Sequence, residues 1–109
     1  MILPSKIKFV DEKLKEAFEK LEESKEKQMY KFIVRAFEDI ENNSFTGIQI
    51  PKKLIPKEYV QKYEIKNLWK YDLPNAWRLL YSIERDELIV VSIVLEWLDH
   101  KSYEKRFNY

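Results

Sequence analysis

Arg78 lies inside an apolar run, between Trp77 and Leu79. If that run is a strand, side chains alternate, so Trp77, Leu79, Tyr81 and Ile83 share one face and Arg78 points to the other. Two readings of it are open. A buried or half-buried cation needs a partner, so Arg78 either faces solvent beside an acid or holds a ligand's anion. A guanidinium can grip a phosphate with two parallel hydrogen bonds. His100, Tyr103, Lys105, Arg106 and Tyr109 crowd the end of the chain. His100 is the one side chain whose unperturbed pKa suits proton transfer near neutrality, although a lone histidine also serves as a structural or surface residue. Glu96 ends a very apolar run, where it is either an exposed strand end or a working carboxylate. Lys66 and Lys70 flank Trp69, as solvated stems or as phosphate contacts.

The elements that must carry these residues can be read from periodicity. Ile7, Lys8, Phe9 and Val10 make a short candidate strand, and Asp11 offers an N-cap for a helix after it. Leu14, Ala17, Phe18 and Leu21 form one helical stripe, and the polar run 22–25 ends it. Met29, Phe32, Ile33, Ala36, Phe37 and Ile40 form a second stripe, stopped by Asn42, Asn43 and Ser44, with Gly47 as a flexible stop. Pro51 and Pro56 make residues 48–59 a loop-rich stretch. Three β runs come next at 67–73, 76–84 and 88–97, separated by Pro74–Asn75 and by Arg85–Asp86. The last is apolar on both faces and is expected to be the central strand. The tail 99–109 is expected as a short helix or an extended end.

The expected fold is therefore a single α+β domain over residues 1–109, with two N-terminal helices packed on one face of a small, twisted antiparallel sheet. Leu14, Phe18, Leu21, Phe32, Ile33, Phe37, Leu79, Val91 and Ile93 are expected in its core. The other sheet face is then left for a ligand.

Composition bounds the chemistry. With 109 residues, 45% hydrophobic and 15% aromatic, the chain can build one real core. It has no cysteine and one histidine, which excludes a disulfide framework, a thiolate nucleophile and a multi-histidine metal site. The formal net charge is +1, so no global field marks a nucleic-acid binder, but the helical half is mildly acidic and the sheet half mildly basic. A polyanion would sit on the sheet side. The start of the chain lacks the pattern of a signal peptide and no apolar run approaches a membrane span, so the expected location is the cytoplasm. A single glycine with abundant Lys, Glu and Ile suits a heat-adapted protein and equally an A+T-rich genome.

The order of segments resembles the RelE/ParE toxin superfamily. The likeness is carried by Asn67-Leu68-Trp69-Lys70-Tyr71-Asp72-Leu73, by Ala76-Trp77-Arg78-Leu79-Leu80-Tyr81-Ser82-Ile83, by the Val-rich strand, and by His100-Lys101-Ser102-Tyr103-Glu104-Lys105. It runs over nearly the whole chain, least clearly at 48–66. The resemblance implies the toxin of a type II toxin–antitoxin pair, an mRNA endoribonuclease that uses 2′-OH transesterification without metal or cofactor. Its alternative within the superfamily is a ParE-like inhibitor of DNA gyrase, or a member that only binds protein. It further implies Arg78, His100 and Tyr103 as the catalytic set, with Lys70 or Glu96 completing it. Lys70, Tyr81, Lys105 and Arg106 would bind substrate. The implied partners are mRNA, on or off the ribosome, and a small acidic cognate antitoxin, giving a monomer or a toxin–antitoxin hetero-oligomer with no membrane contact.

Overall fold

The computed structural model describes residues 1–86 and 89–107, with Asp86 described in its backbone alone. It is α+β, and two N-terminal helices pack on one face of a five-stranded sheet. Strand β1 (Lys6–Phe9) leads into α1 (Glu12–Glu23), whose N-cap is Asp11; its carboxylate accepts from the Leu14 N–H at 2.8 Å. Ser24 ends that helix, its Oγ donating to the Leu21 carbonyl. Helix α2 (Lys27–Asn42) stops at Asn43, whose Oδ1 accepts from the N–H groups of Leu3 and Phe45. Next come β2 (Ile48–Gln49), α3 (Lys57–Tyr63), β3 (Trp69–Leu73), β4 (Trp77–Asp86), β5 (Ile89–Leu98) and α4 (His100–Phe107).

The strand order is β1-β5-β4-β3-β2. Strands β2 to β5 pair antiparallel, whereas β1 pairs with β5 in parallel, so the sheet is mixed. The parallel pair needs a long return path between the two strands, and α1 and α2 begin that path. Strand β5 has partners on both edges, but the middle of the sheet, expected for it, is occupied by β4.

One face holds α1 and α2. Ile33, Ala36 and Ile40 are fully buried there against Leu79, Tyr81 and Val94. Phe9, Phe18, Tyr30 and Phe37 form an aromatic cluster with centroids 5.0–5.6 Å apart, which seats both helices on β1. Ser5, Ser44 and Ser92 join hydroxyls at 2.8 and 3.0 Å and tie the end of α2 to β5. Leu21, Ile33, Phe37, Leu79 and Val91 are buried as expected, while Leu14, Phe18, Phe32 and Ile93 are half-buried and Ala17 is exposed.

The opposite face corrects an expectation. It is not left open: a second apolar core of Ile50, Tyr59, Ile65, Leu68, Leu80, Leu95 and Tyr103 covers it, built with α3 and α4. Helix α3 begins within the stretch 48–59 expected as loop-rich and runs on to Tyr63. Pro56 does not interrupt it but precedes it, where a missing N–H costs nothing. Gly47 also differs from expectation. Its φ of −80° needs no glycine; it needs space, because a Cβ would stand 2.5 Å from the Lys70 carbonyl oxygen and 2.7 Å from the Tyr81 hydroxyl. Strand β4 runs through Arg85 and Asp86, where a turn is expected, and Leu88, expected to open the last strand, lies outside the described residues.

Candidate functional site

The register assembles a polar grid on the second face. Lys70 pairs with Leu80 and Leu80 with Glu96; in the next row Asp72 pairs with Arg78 and Arg78 with Leu98. Tight geometry at Pro74–Ala76 sets this register, with Asn75 and Ala76 at φ 62° and 63°. Asn75 suits that conformation and Ala76 is strained in it. A bulge between Leu80 and Tyr81 skips Leu95 in the pairing, so Leu95 and Glu96 both reach this face. Bulges re-aim side chains in this way.

Helix α4 lies over the grid. Asp99 caps it, accepting from the Ser102 N–H at 2.7 Å, and that bond holds the Asp99 carboxyl below its usual range. Tyr103 turns inward and is buried. The Arg78 guanidinium carbon stands 5.1 Å from the Tyr103 ring centroid and Lys70 Nζ 5.6 Å from it. Two cations therefore share one ring, a contact worth about 0.5–2 kcal/mol each by burial. Arg78 is 17% exposed, its Nη1 donates to the Ala76 carbonyl at 2.6 Å, and Asp72 Oδ1 lies 3.3 Å from its Nε. That Nε is buried and makes no hydrogen bond. Lys70 reaches the same Asp72 oxygen at 3.7 Å. Asp72 is 55% exposed, so one solvated carboxylate serves two cations.

Beside this lies a second cluster. The Tyr59 hydroxyl donates to Glu96. Arg106 pairs with Glu58 at 2.8 Å, approaches Glu96 at 3.7 Å, and stands 5.6 Å over the Tyr59 ring. Burial, then the bond to Glu96, raises the Tyr59 phenol far above its ordinary pKa, so it is a neutral donor.

Arg78, Tyr103 and Lys70 are thus brought together. His100 is not part of that contact: its imidazole pairs with Glu104 one turn along α4 and is 55% exposed. Arg106 is held by two carboxylates, and Lys105 is exposed in a groove beyond it. Tyr81 is placed elsewhere. It is fully buried on the α1/α2 face, with its hydroxyl donating to the Ser44 carbonyl at 2.6 Å and accepting from the Gly47 N–H at 3.1 Å. It anchors the loop before β2 and cannot meet a ligand bound at Arg78.

Tyr59, Glu58 and Asp72 are site residues that sequence reasoning misses. Tyr59 and Tyr63 stand four apart after a proline, which is a helix signal. Asp72 becomes a partner of Arg78 only once the length of the Pro74 turn is known. Among the described residues no group of three or more His, Asp or Glu side chains is placed to hold a metal ion, and no helix is long and apolar enough to cross a membrane. Comparison with family models, with curated proteins and with solved structures finds no match.

Proposed function

We propose that this chain is a RelE-like toxin, an endoribonuclease that cleaves mRNA by attack of a ribose 2′-OH on the adjacent phosphate. The observation that carries this reading is the pair of cations, Arg78 and Lys70, gathered under the Tyr103 ring on the sheet face away from α1 and α2. The attack forms a 2′,3′-cyclic phosphate and expels a 5′-hydroxyl. Charge builds on the phosphorane oxygens, and preorganised cations at that point lower the barrier. Arg78 takes that role, with Lys70 beside it. Asp72 holds the guanidinium in place, and its solvent exposure leaves the cluster with a positive surplus. Tyr103, 4% exposed and stacked on Phe107, keeps the cations aligned. His100 carries the proton, and its pairing with Glu104 orients the imidazole. No metal or cofactor enters this route.

The partner would be a small acidic protein. Strand β1 is an edge of the sheet, and Lys6 and Lys8 stand on it beside the apolar Val91 and Ile93, a surface suited to strand addition by an anionic segment. One observation favours the second reading, inhibition by binding a protein target such as gyrase: Tyr103 covers Arg78, and His100 is engaged with Glu104.

Incubation with mRNA, free and on programmed ribosomes, tests the reading. New 5′-hydroxyl and 2′,3′-cyclic phosphate ends are expected. Intact RNA in both formats, with gyrase inhibited, would transfer the assignment to the second reading.

A further inference from the structure

The Arg78 guanidinium keeps one edge unused. Its Nη1 donates to the Ala76 carbonyl at 2.6 Å, which fixes the group against the turn. The other edge, Nε with Nη2, is a fork that can grip a carboxylate or a phosphate with two parallel hydrogen bonds. Among the described residues neither of these nitrogens donates to an acceptor, and Nε is buried. Asp72 lies beside that edge without engaging it. Its Oδ1 is 3.3 Å from Nε, outside hydrogen-bond geometry, and the same oxygen is 3.7 Å from Lys70 Nζ. One carboxylate oxygen thus faces two cations and makes a hydrogen bond to neither.

The position of Asp72 lets it leave. Strand β2 pairs with β3 at Trp69 and Lys70 alone, so the outer edge of β3 carries no strand partner beside Asp72. The carboxylate is 55% exposed there, and turning it into solvent gives up two partly solvated ion pairs, which are weak. The cations stay behind. Arg78 is tied to Ala76, and both Arg78 and Lys70 lie against the buried Tyr103 ring. With Asp72 turned out, a fork edge and an ammonium remain, closed by Tyr103 on the α4 side and open at the rim of the sheet. A carboxylate has two oxygens, and the fork takes both. A phosphate has a further oxygen for Lys70.

We propose that Asp72 is an autoinhibitory counter-anion that stands in for a phosphate group. In the free protein it covers the Arg78–Lys70 pair. It swings out when a phosphate takes the Nε and Nη2 bonds together with Lys70. The proposal rests on the reading of Arg78 and Lys70 as the phosphate site and adds the gate to that site.

The test is titration with inorganic phosphate at constant ionic strength, followed through the Arg78 Nε–H resonance in NMR of the full, nitrogen-labelled chain. That resonance should shift as phosphate binds. Asp72→Asn keeps the shape and removes the charge, and should bind phosphate about two- to thirtyfold tighter, the worth of two partly exposed ion pairs. Asp72→Ala should tighten binding alike, and adding Lys70→Gln should weaken it again. Glu16→Gln makes the same charge change on exposed surface of α1, across the sheet, and should leave the affinity within about twofold. The amide spectrum of each variant reports its folding. Asp72→Asn protein that binds phosphate no tighter than wild type, or no tighter than Glu16→Gln, overturns the gate and leaves the nuclease standing if wild type cleaves RNA. Tighter binding by Asp72→Asn, beside a wild type that cuts no RNA, supports the gate and removes the nuclease. Phosphate that binds without moving the Nε–H resonance overturns the site, and acetate that binds as tightly as phosphate overturns phosphate as its occupant.

Discussion

Gly47→Ala is expected to destabilise the fold substantially, although alanine suits the backbone there. The φ of −80° lies in a region every residue adopts, so no conformational penalty arises. The cost is steric. The new Cβ would lie 2.5 Å from the Lys70 carbonyl oxygen and 2.7 Å from the Tyr81 hydroxyl, both well inside contact distance. Lys70 is paired with Leu80 on one side and with Ile48 on the other, so that carbonyl belongs to the sheet and cannot move alone. The Tyr81 hydroxyl is fixed between Ser44 and Gly47. Overpacking of this kind costs about 1–3 kcal/mol. Displacing a buried hydroxyl from its partners adds about 1–3 kcal/mol. A stiffer unfolded chain returns about 0.4–1 kcal/mol. The net expectation is a loss of about 2–4 kcal/mol, which for a domain of this size lowers Tm by roughly 10–25 °C. Urea and thermal unfolding measured by circular dichroism give the value. Tyr81→Phe removes one of the two clashing atoms, so the double variant should lose less than the sum of the singles. A Gly47→Ala protein within about 0.5 kcal/mol of wild type would refute the steric reasoning, because overpacking alone costs more than that.

The phenols supply a pH prediction. Burial, with the 2.5 Å bond to Asp39, raises Tyr71 from 10.0 to about 12, and burial raises Tyr81 from 10.0 to about 12. The unfolded chain releases these protons first, so stability should be full below pH 10 and fall as pH rises from 10 towards 12; flat unfolding midpoints across that range would contradict it. Asp11→Ala should cost about 1 kcal/mol by uncapping α1, read as a lower urea midpoint with an unchanged m-value. Leu80→Ala should cost about 2–5 kcal/mol, since Leu80 is fully buried in the core beneath α3 and α4; a loss under 1 kcal/mol would mean that this second core contributes little.

Elements with strong periodicity are legible in the sequence. The stripe from Met29 to Ile40 and the cap at Asp11 mark the helices, and the alternation around Trp77–Leu79–Tyr81 marks the facing of Arg78 correctly. The hidden part depends on pairs distant in sequence. Nothing in the four residues from Lys6 to Phe9 specifies that β1 lies parallel to β5, because the neighbour is decided by how the intervening chain returns. Helix α3 is hard to read because a proline either stops a helix or starts one, and the residues after Pro56 decide which. In the candidate site, Arg78 and Tyr103 are 25 positions apart, and only the docking of α4 brings them together. Tyr81 shows the converse limit: its motif marks it for substrate, whereas its strand face sends it into the core.

The central claim is that Arg78 stabilises a transferring phosphate. The most direct measurement is single-turnover cleavage of mRNA by wild type and by Arg78→Ala, alone and on programmed ribosomes, with melting curves alongside. Arg78 is 17% exposed and stacks on Tyr103, so Tm should fall by roughly 5–10 °C, the loss of about one cation–π contact, and rates are compared at a temperature where both proteins are folded. The rate should fall about a hundredfold or more, the loss expected when one charge-stabilising donor is removed. An Arg78→Ala protein that cleaves as fast as wild type would contradict the assignment of the site, and a wild type that cleaves in neither format would contradict the nuclease itself.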